Sequence, residues 1–332
     1  MVRRRPIRKP TALQRGEVIG IIAPSSPVEP ARLHEGVREL EAIGYHVVYS
    51  EAVLARRGYF AGDHAARTEA LLRYLEDPAV RAICCARGGY GSNYVVEQLS
   101  TRAALRRLQR LAPKIVMGYS DVTSLLLFLN QTLGWVSFQG PMLTKDFSAG
   151  ETGYHRHVLE QVLTNGLRGL TIESDAQTLR PGTAEGRLLG GCLPMLTATL
   201  GTPQEIDTKG TILLLEDVDE KPFRIDRMLF HLKRAGKFRD IKAVIFGEMP
   251  GCGLSASPDE ALREIILESF ADQNIPIVFG LRFGHNTGKC LTLPLGVRAR
   301  VEAQEGAGPG VTLTLLEPAV RPPAKKARSR KS

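Results

Sequence analysis

The chain reads as an α/β protein, with an N-terminal parallel-sheet domain of flavodoxin/Rossmann-like type and a C-terminal α/β domain ending in antiparallel strands. Three observations predict this. Short, nearly continuous apolar runs alternate with segments of helical period, the pattern of a parallel sheet covered on both faces. The alternation weakens over 140–184 and then resumes, which divides the chain. The last segments, 290–294, 296–303 and 310–316, alternate apolar and polar residues between glycine turns, as antiparallel strands do. A length of 332 residues fits two domains of roughly 150 residues each.

Residues 17–23 (Glu-Val-Ile-Gly-Ile-Ile-Ala) form a buried strand stopped by Pro24. A helix over 28–43 ends at Gly44, and 45–50 is a second strand. A helix over 64–76 precedes a third strand at 81–86, Arg-Ala-Ile-Cys-Cys-Ala. Strand 115–117 and its helix come fourth, and 135–139 gives a fifth strand. One helix falls near 152–165 within the connection 140–184. The second domain, 185–318, opens with a glycine turn at Gly190-Gly191 and an apolar helix through Leu200. Strand 211–217, helix 222–235, strand 240–246, helix 257–271 and strand 275–280 follow. The N-terminal domain spans 14–139, and residues 1–13 and 319–332 read as disordered basic tails.

Hydrophobic content of 43% and charged content of 24% are those of a globular protein. The net charge of +9 suggests nucleic acid until its location is considered. Residues 1–10 hold five basic residues and 319–332 hold six, with no acid in either. Removing those eleven charges from +9 leaves residues 11–318 at −2. The basicity therefore belongs to the tails, and no nucleic-acid partner is expected beyond tail contacts. Five cysteines, without C-x-x-C or zinc-type spacing, favour a reducing compartment. No run approaches 18 apolar residues and no signal-peptide core is present, so the expected location is cytoplasmic, with no membrane span.

The centre of the chain is 114–130, Lys-Ile-Val-Met-Gly-Tyr-Ser-Asp-Val-Thr-Ser-Leu-Leu-Leu-Phe-Leu-Asn. An apolar strand meets a sharp turn at Gly118-Tyr119-Ser120. A helix with a Val122, Leu125, Leu126, Leu129 stripe follows. A serine on such a turn is lifted off the sheet edge beside free helix N–H groups, which suits a nucleophile. Serine is also a favoured N-cap, and Val122 replaces the second glycine of the Gly-x-Ser-x-Gly elbow, so both readings stand at this point.

Ligands of parallel α/β sheets bind beyond the carboxyl ends of the strands. Those ends deliver Arg87-Gly88-Gly89-Tyr90-Gly91, Ser120-Asp121, Glu216-Asp217 and Arg282-Phe-Gly-His285-Asn286-Thr-Gly288. Acyl transfer needs such a set: a hydroxyl, a base titrating near neutrality, an acid and close-approaching backbone N–H groups. The glycine loop lacks both the Gly-x-Gly-x-x-Gly and the P-loop spacing. Glu216 is either a strand terminator or a carboxylate that orients a histidine. The acids of 216–220 lack the alternation and glycine of a calcium loop, so no metal is expected. His155, His157 and His231 read as structural or surface residues.

Five segments carry a family resemblance: Ala-Arg-Gly-Gly-Tyr-Gly (86–91), Gly-Tyr-Ser-Asp-Val-Thr (118–123), Gly-Gly-Cys-Leu (190–193), Leu-Leu-Glu-Asp-Val-Asp-Glu-Lys-Pro-Phe-Arg-Ile-Asp-Arg (214–227) and Gly-His-Asn-Thr (284–287). Together, in this order, they resemble the LD-carboxypeptidases, the serine peptidase family that also holds the microcin C immunity hydrolases. The resemblance covers about 14–316. It implies Ser120 as nucleophile, His285 as general acid/base and Glu216 as the carboxylate orienting it. The backbone N–H groups of Gly89 and Asp121 would form the oxyanion hole, and no cofactor is implied. The implied substrate is a cytoplasmic murein peptide of peptidoglycan recycling, cleaved between an L-centre and terminal D-alanine, and the implied assembly is a homodimer.

A carboxypeptidase must hold a free carboxylate, for which Arg87, Lys221 and Arg224 are candidates. Two alternatives stand beside this reading. One is an immunity-type hydrolase of aminoacyl-nucleotide analogues, which favours an aromatic platform, although Trp135 is the only tryptophan and lies in an expected strand. The other is a non-catalytic small-ligand-binding α/β protein.

Overall fold

The computed structural model describes residues 5–165, 169–253, 258–305 and 310–323. The first half runs β1 (Val18–Ile22), α1 (Pro30–Ala42), β2 (His46–Val48), α2 (His64–Glu76), β3 (Val80–Cys85), α3 (Ser92–Leu99), α4 (Arg102–Gln109), β4 (Ile115–Gly118), α5 (Thr123–Leu127) and β5 (Ser137–Gln139). The strands pair in the order β2-β1-β3-β4-β5, all parallel, which is the flavodoxin order. Pro30 opens α1, where its missing N–H costs nothing, and Asp63 caps α2 by accepting from Ala66 N at 2.7 Å.

The second half runs α6 (Arg156–Glu160), β6 (Thr171–Ser174), β7 (Gln177–Arg180), β8 (Gly182–Cys192), α7 (Leu193–Ala198), β9 (Thr211–Glu216), α8 (Pro222–Arg234), β10 (Ala243–Gly247), α9 (Pro258–Ser269), β11 (Ile277–Leu281), β12 (Leu293–Leu295), β13 (Arg298–Ala303) and β14 (Val311–Leu315). Eight strands pair in the order β6-β14-β13-β8-β9-β10-β11-β7. The β8 to β11 run is parallel and the flanks are antiparallel. β6 and β7 stand at opposite ends of this order, yet only two residues separate them. Such a link reaches at most about 11 Å, so the sheet curls until its edges meet. The hydroxyl of Thr178 closes the seam, donating to Gly310 O at 3.0 Å.

The structure corrects several expectations. Residues 5–13 are no loose tail. Arg8 pairs with Trp135, Thr11 pairs with Arg321, and Ala12 and Leu13 are buried. Residues 319–323 are placed by the same pairing, and Ala319 and Val320 are buried. The rest of both tails lies outside the described residues. The stretch 140–184, expected to be only a connection, supplies β6, β7 and the start of β8. Gly190 and Gly191 are no turn; they end β8 in register with Leu214 and Leu215. Strand 290–294 does not close the second sheet: as β12 it pairs antiparallel with β5 at the edge of the first. Finally, α3 and α4 were not foreseen. α3 spans eight residues, too few for a clear stripe, and α4 buries only Leu108.

Gly190 carries a prediction. Its φ is +142°, and a Cβ there would stand 1.9 Å from Leu214 O. The obstacle is backbone of the neighbouring strand, which cannot swing aside. Gly190→Ala should therefore destabilise the protein by about 3 kcal/mol or more, read from the urea midpoint and slope. A midpoint equal to wild type would contradict this packing of β8 on β9.

Candidate active site

β4 is buried along its whole length and ends at Gly118. Tyr119 continues extended, and Ser120 then takes φ +62°. A serine in the left-handed region carries strain of about 1–3 kcal/mol, which persists only where its surroundings over-determine it. A 3₁₀ turn over Ser120–Val122 leads into α5. Tyr119, not Ser120, occupies the N-cap position, and no side chain caps this helix. The serine hydroxyl is therefore not spent on capping.

The general-base candidate is held from the other half. β9 is wholly buried and ends at Glu216, whose carboxylate is 0% exposed. Its Oε2 accepts the backbone N–H of His285 at 2.9 Å and lies 2.7 Å from the ring Nδ1. That oxygen already accepts one N–H, so the ring nitrogen is assigned as donor of the second bond. Nε2 is thereby left as the acceptor. Gly284 has φ +65°, and a Cβ on it would lie 2.5 Å from Glu216 Cδ, so only glycine lets the histidine loop approach this carboxylate. The Asn286 side chain clasps its own loop, donating to Gly284 O at 2.8 Å and accepting from Gly288 N at 3.0 Å. The Tyr119 ring meets the imidazole edge-on with centroids 5.1 Å apart.

Ser120 and His285 open on one cleft of about 320 Å³. Gly88 and Gly89 form a wall, and a Cβ on Gly88 would stand 2.8 Å from Ser120 Cβ and 3.4 Å from Asp121 N. The Gly89 N–H has no acceptor among the described residues. The Asp121 N–H belongs to the first turn of the helix, where amides lack intrahelical partners. The Asp121 carboxylate is buried below and accepts from Ser25 Oγ at 2.5 Å and Ser92 N at 2.7 Å. Buried Arg67 ties Pro24 O to Gly91 O. These bonds lock the loops after β1, β3 and β4 together. Burial lowers the Arg67 pKa, and Asp121 opposes that shift.

The expected cations divide. Arg87 lines the cleft, with Nη1 donating to Pro27 O at 3.1 Å. Arg224 is 3.5 Å from Glu220 Oε1, and Lys221 occupies the N-cap of α8; neither lines the cleft. Arg32 and Lys145 do line it, and sequence reasoning missed both. Arg32 lies ten residues past the end of β1, within α1, and Lys145 six past the end of β5, so the strand-end rule does not reach either. The acids of 216–220 also separate. Glu216 faces His285, Glu220 faces Arg224, and Asp217 is buried with Oδ1 accepting from Val218 N at 2.9 Å. Burial pushes the Asp217 pKa up to about 7. Asp146, beside Tyr119, is raised to about 6 by the same cause.

Sequence models of two known domains match this chain: the LD-carboxypeptidase N-terminal domain over residues 19–140 and the C-terminal domain over 185–301. The chain belongs to the LD-carboxypeptidase family. Among LD-carboxypeptidase relatives, a probable murein peptide carboxypeptidase from Bacillus subtilis (strain 168) is 35% identical over 90% of this chain and 92% of its own. The solved muramoyltetrapeptide carboxypeptidase of Oxalobacter formigenes is 28% identical, with a TM-score of 0.76 over 91% of this chain and 99% of that one. The microcin C7 self immunity protein MccF shares the fold, with a TM-score of 0.83 at 23% identity over 94% of this chain and 99% of its own.

The geometry of this family member carries two stability predictions. Ser120→Gly relieves the left-handed strain that Ser120→Ala retains, so the glycine variant should be the more stable of the two by about 1 kcal/mol in chemical denaturation. The reverse order would contradict the positive φ. Asp217 has a native pKa raised above its unfolded value. Its contribution is intact below the unfolded pKa and is lost as pH rises through the native one. The advantage of Asp217→Asn over wild type should therefore grow from about pH 4 to about pH 8 in urea midpoints. A difference that does not change with pH would contradict the burial assigned to this carboxyl.

Proposed function

We propose that this chain is a serine-type LD-carboxypeptidase that releases terminal D-alanine from murein tetrapeptide by cleaving the L,D-peptide bond. The observation that carries the reading is the two-point hold of Glu216 on His285, in the same cleft as a strained Ser120. Support for the substrate comes from the probable murein peptide carboxypeptidase that is 35% identical along nine tenths of the chain.

Nε2 of His285 takes the Ser120 proton as Oγ attacks the scissile carbonyl carbon. The N–H groups of Gly89 and Asp121 hold the tetrahedral oxyanion; removing one such donor typically costs about 10²–10³ in rate. Glu216 keeps the imidazole in its tautomer and stabilises the imidazolium. As the carbon–nitrogen bond breaks, His285 passes its proton to the departing D-alanine amine. The imidazole next deprotonates water, which attacks the acyl-serine, and Ser120 recovers its proton. The shortened peptide leaves as its carboxylate. The cycle draws on three side chains, two backbone N–H groups and water.

A role in cytoplasmic recycling accords with five free, buried cysteines, which suit a reducing compartment. The acyl-nucleotide alternative is not adopted. Trp135, the only tryptophan, is 1% exposed and offers no platform, and the 35% identical relative favours a murein peptide; Tyr90, 41% exposed beside Gly89, is the aromatic residue that keeps this alternative second.

The test is mass spectrometry of free murein tetrapeptide after incubation with wild-type and Ser120→Ala protein. Loss of one D-alanine is expected with wild type, and a rate lower by about 10⁴ or more with the variant. Equal loss with both proteins would remove Ser120 as nucleophile. No loss with wild type would reject the substrate.

A further inference from the structure

Three cations line the cleft: Arg32, Arg87 and Lys145. They differ in what already engages them. Arg87 donates to Pro27 O at 3.1 Å, and Arg32 stands 3.6 Å from Glu35. Among the described residues, Lys145 has no carboxylate within ion-pair distance. Its ammonium lies 5.5 Å from the centroid of the Tyr119 ring. The same ring meets the His285 imidazole edge-on with centroids 5.1 Å apart. Lys145 and His285 therefore share a neighbour, the ring of the residue that precedes Ser120. Buried Asp146 reports the same proximity, since both groups lower its raised pKa. Arg87 belongs instead to the loop that carries Gly89, the wall of the proposed oxyanion donors, where Gly88 abuts Ser120.

The chemistry of the leaving group selects between the two walls. In a carboxypeptidase the departing group is one amino acid, and its nitrogen must face the imidazole that protonates it. Its carboxylate carbon is only two bonds from that nitrogen and about 3–4 Å from the scissile carbon. The free carboxylate must then lie on the His285 side of the cleft. A cation on the oxyanion wall would sit across the site from it.

We infer that Lys145 is the anchor for the substrate's free terminal carboxylate, the residue that restricts the site to the last bond of a peptide. The inference rests on the carboxypeptidase reading above. A lysine suits the task as a compact charge with three rotatable donors. A peptide blocked at its carboxyl end would leave the ammonium without its partner.

The test uses binding, so that it does not depend on turnover. In the Ser120→Ala background, the dissociation constants of murein tetrapeptide and of its C-terminal amide are measured by calorimetry, with Lys145 intact and with Lys145→Met. With Lys145 intact, the acid should bind roughly 10- to 100-fold more tightly than the amide. Lys145→Met should erase that ratio and leave amide binding unchanged, which also demonstrates an intact fold. Lys145→Arg should restore part of it. A preference for the acid that survives Lys145→Met overturns the inference, as does equal or undetectable binding of the two peptides when Lys145 is present. Failure of the carboxypeptidase reading looks different: wild type would release no D-alanine while the Lys145-dependent preference persisted.

Discussion

The carboxylate of Glu216 is the constraint around which the second half is built. A fully buried carboxylate costs several kcal/mol unless hydrogen bonds replace its water. Here both bonds come from one residue, His285, through its ring and its backbone. The loop after β11 must therefore return to the end of β9, with Gly284 left-handed to let it in. Gly247 at the end of β10 leaves room, since its Cβ would stand 3.0 Å from Glu216 Cβ. Glu248 then pins the far side of the loop, accepting from Thr287 N at 2.7 Å. Three adjacent parallel strands thus cooperate at one carboxylate. The imidazole that results is pre-set in direction and tautomer.

Ser120 is fixed by different means. The helical segment that follows Ser120 is buried from Asp121 through Asn130, because it lies between the two sheets. Thr123 Oγ1 accepts from Cys192 N at 3.1 Å, joining the base of this segment to the end of β8. Asn130 donates to Leu295 O at 3.0 Å, joining its far end to β12. β12 itself comes from the second half and completes the first sheet. The placement of Ser120 relative to His285 is therefore set by packing across the seam rather than by the connection between the halves. The stitched halves give the cleft walls a common frame.

How much of this was legible varies with the signal each element carries. The parallel strands were legible because they are buried on both faces and read as apolar runs, β9 above all. The grouping of Ser120, Glu216 and His285 was legible because strand ends in such sheets present ligand-binding groups. The family resemblance supplied their roles. What the sequence hid was long-range pairing. Nothing local in Leu293-Pro-Leu295 tells which sheet it joins, and four-residue β6 and β7 bury little beyond Ile172. The N-terminal tail misled because five basic residues looked solvated. Two of its charges are in fact engaged: Arg8 Nη2 donates to Leu111 O and Lys9 pairs with Glu317, and the chain around them is docked by backbone pairing. Lys145 was hidden because an exposed lysine has no local signature; only its neighbours give it meaning.

The arrangement at Ser120 is unfavourable as structure. A serine is held in a left-handed conformation, and the neighbouring Asp121 is buried with Oδ1 lacking a partner among the described residues. Asp217 and Asp146 are buried deeply enough for their pKa values to rise. Each of these would be relieved by a simple substitution, yet each lies within or beside the cleft. Functional sites hold strain of this kind where it presets geometry, and the apolar core offsets it elsewhere. The bonds from Ser25 and Ser92 to Asp121 give the strain its purpose. They bolt the residue after the serine to the loops from β1 and β3, so the amides of Gly89 and Asp121 belong to one bonded frame. Donors fixed in this way need no reorganisation when negative charge develops, which is where electrostatic catalysis gains most. The left-handed Ser120 and the Gly89 and Asp121 amides thus sit on one buried network.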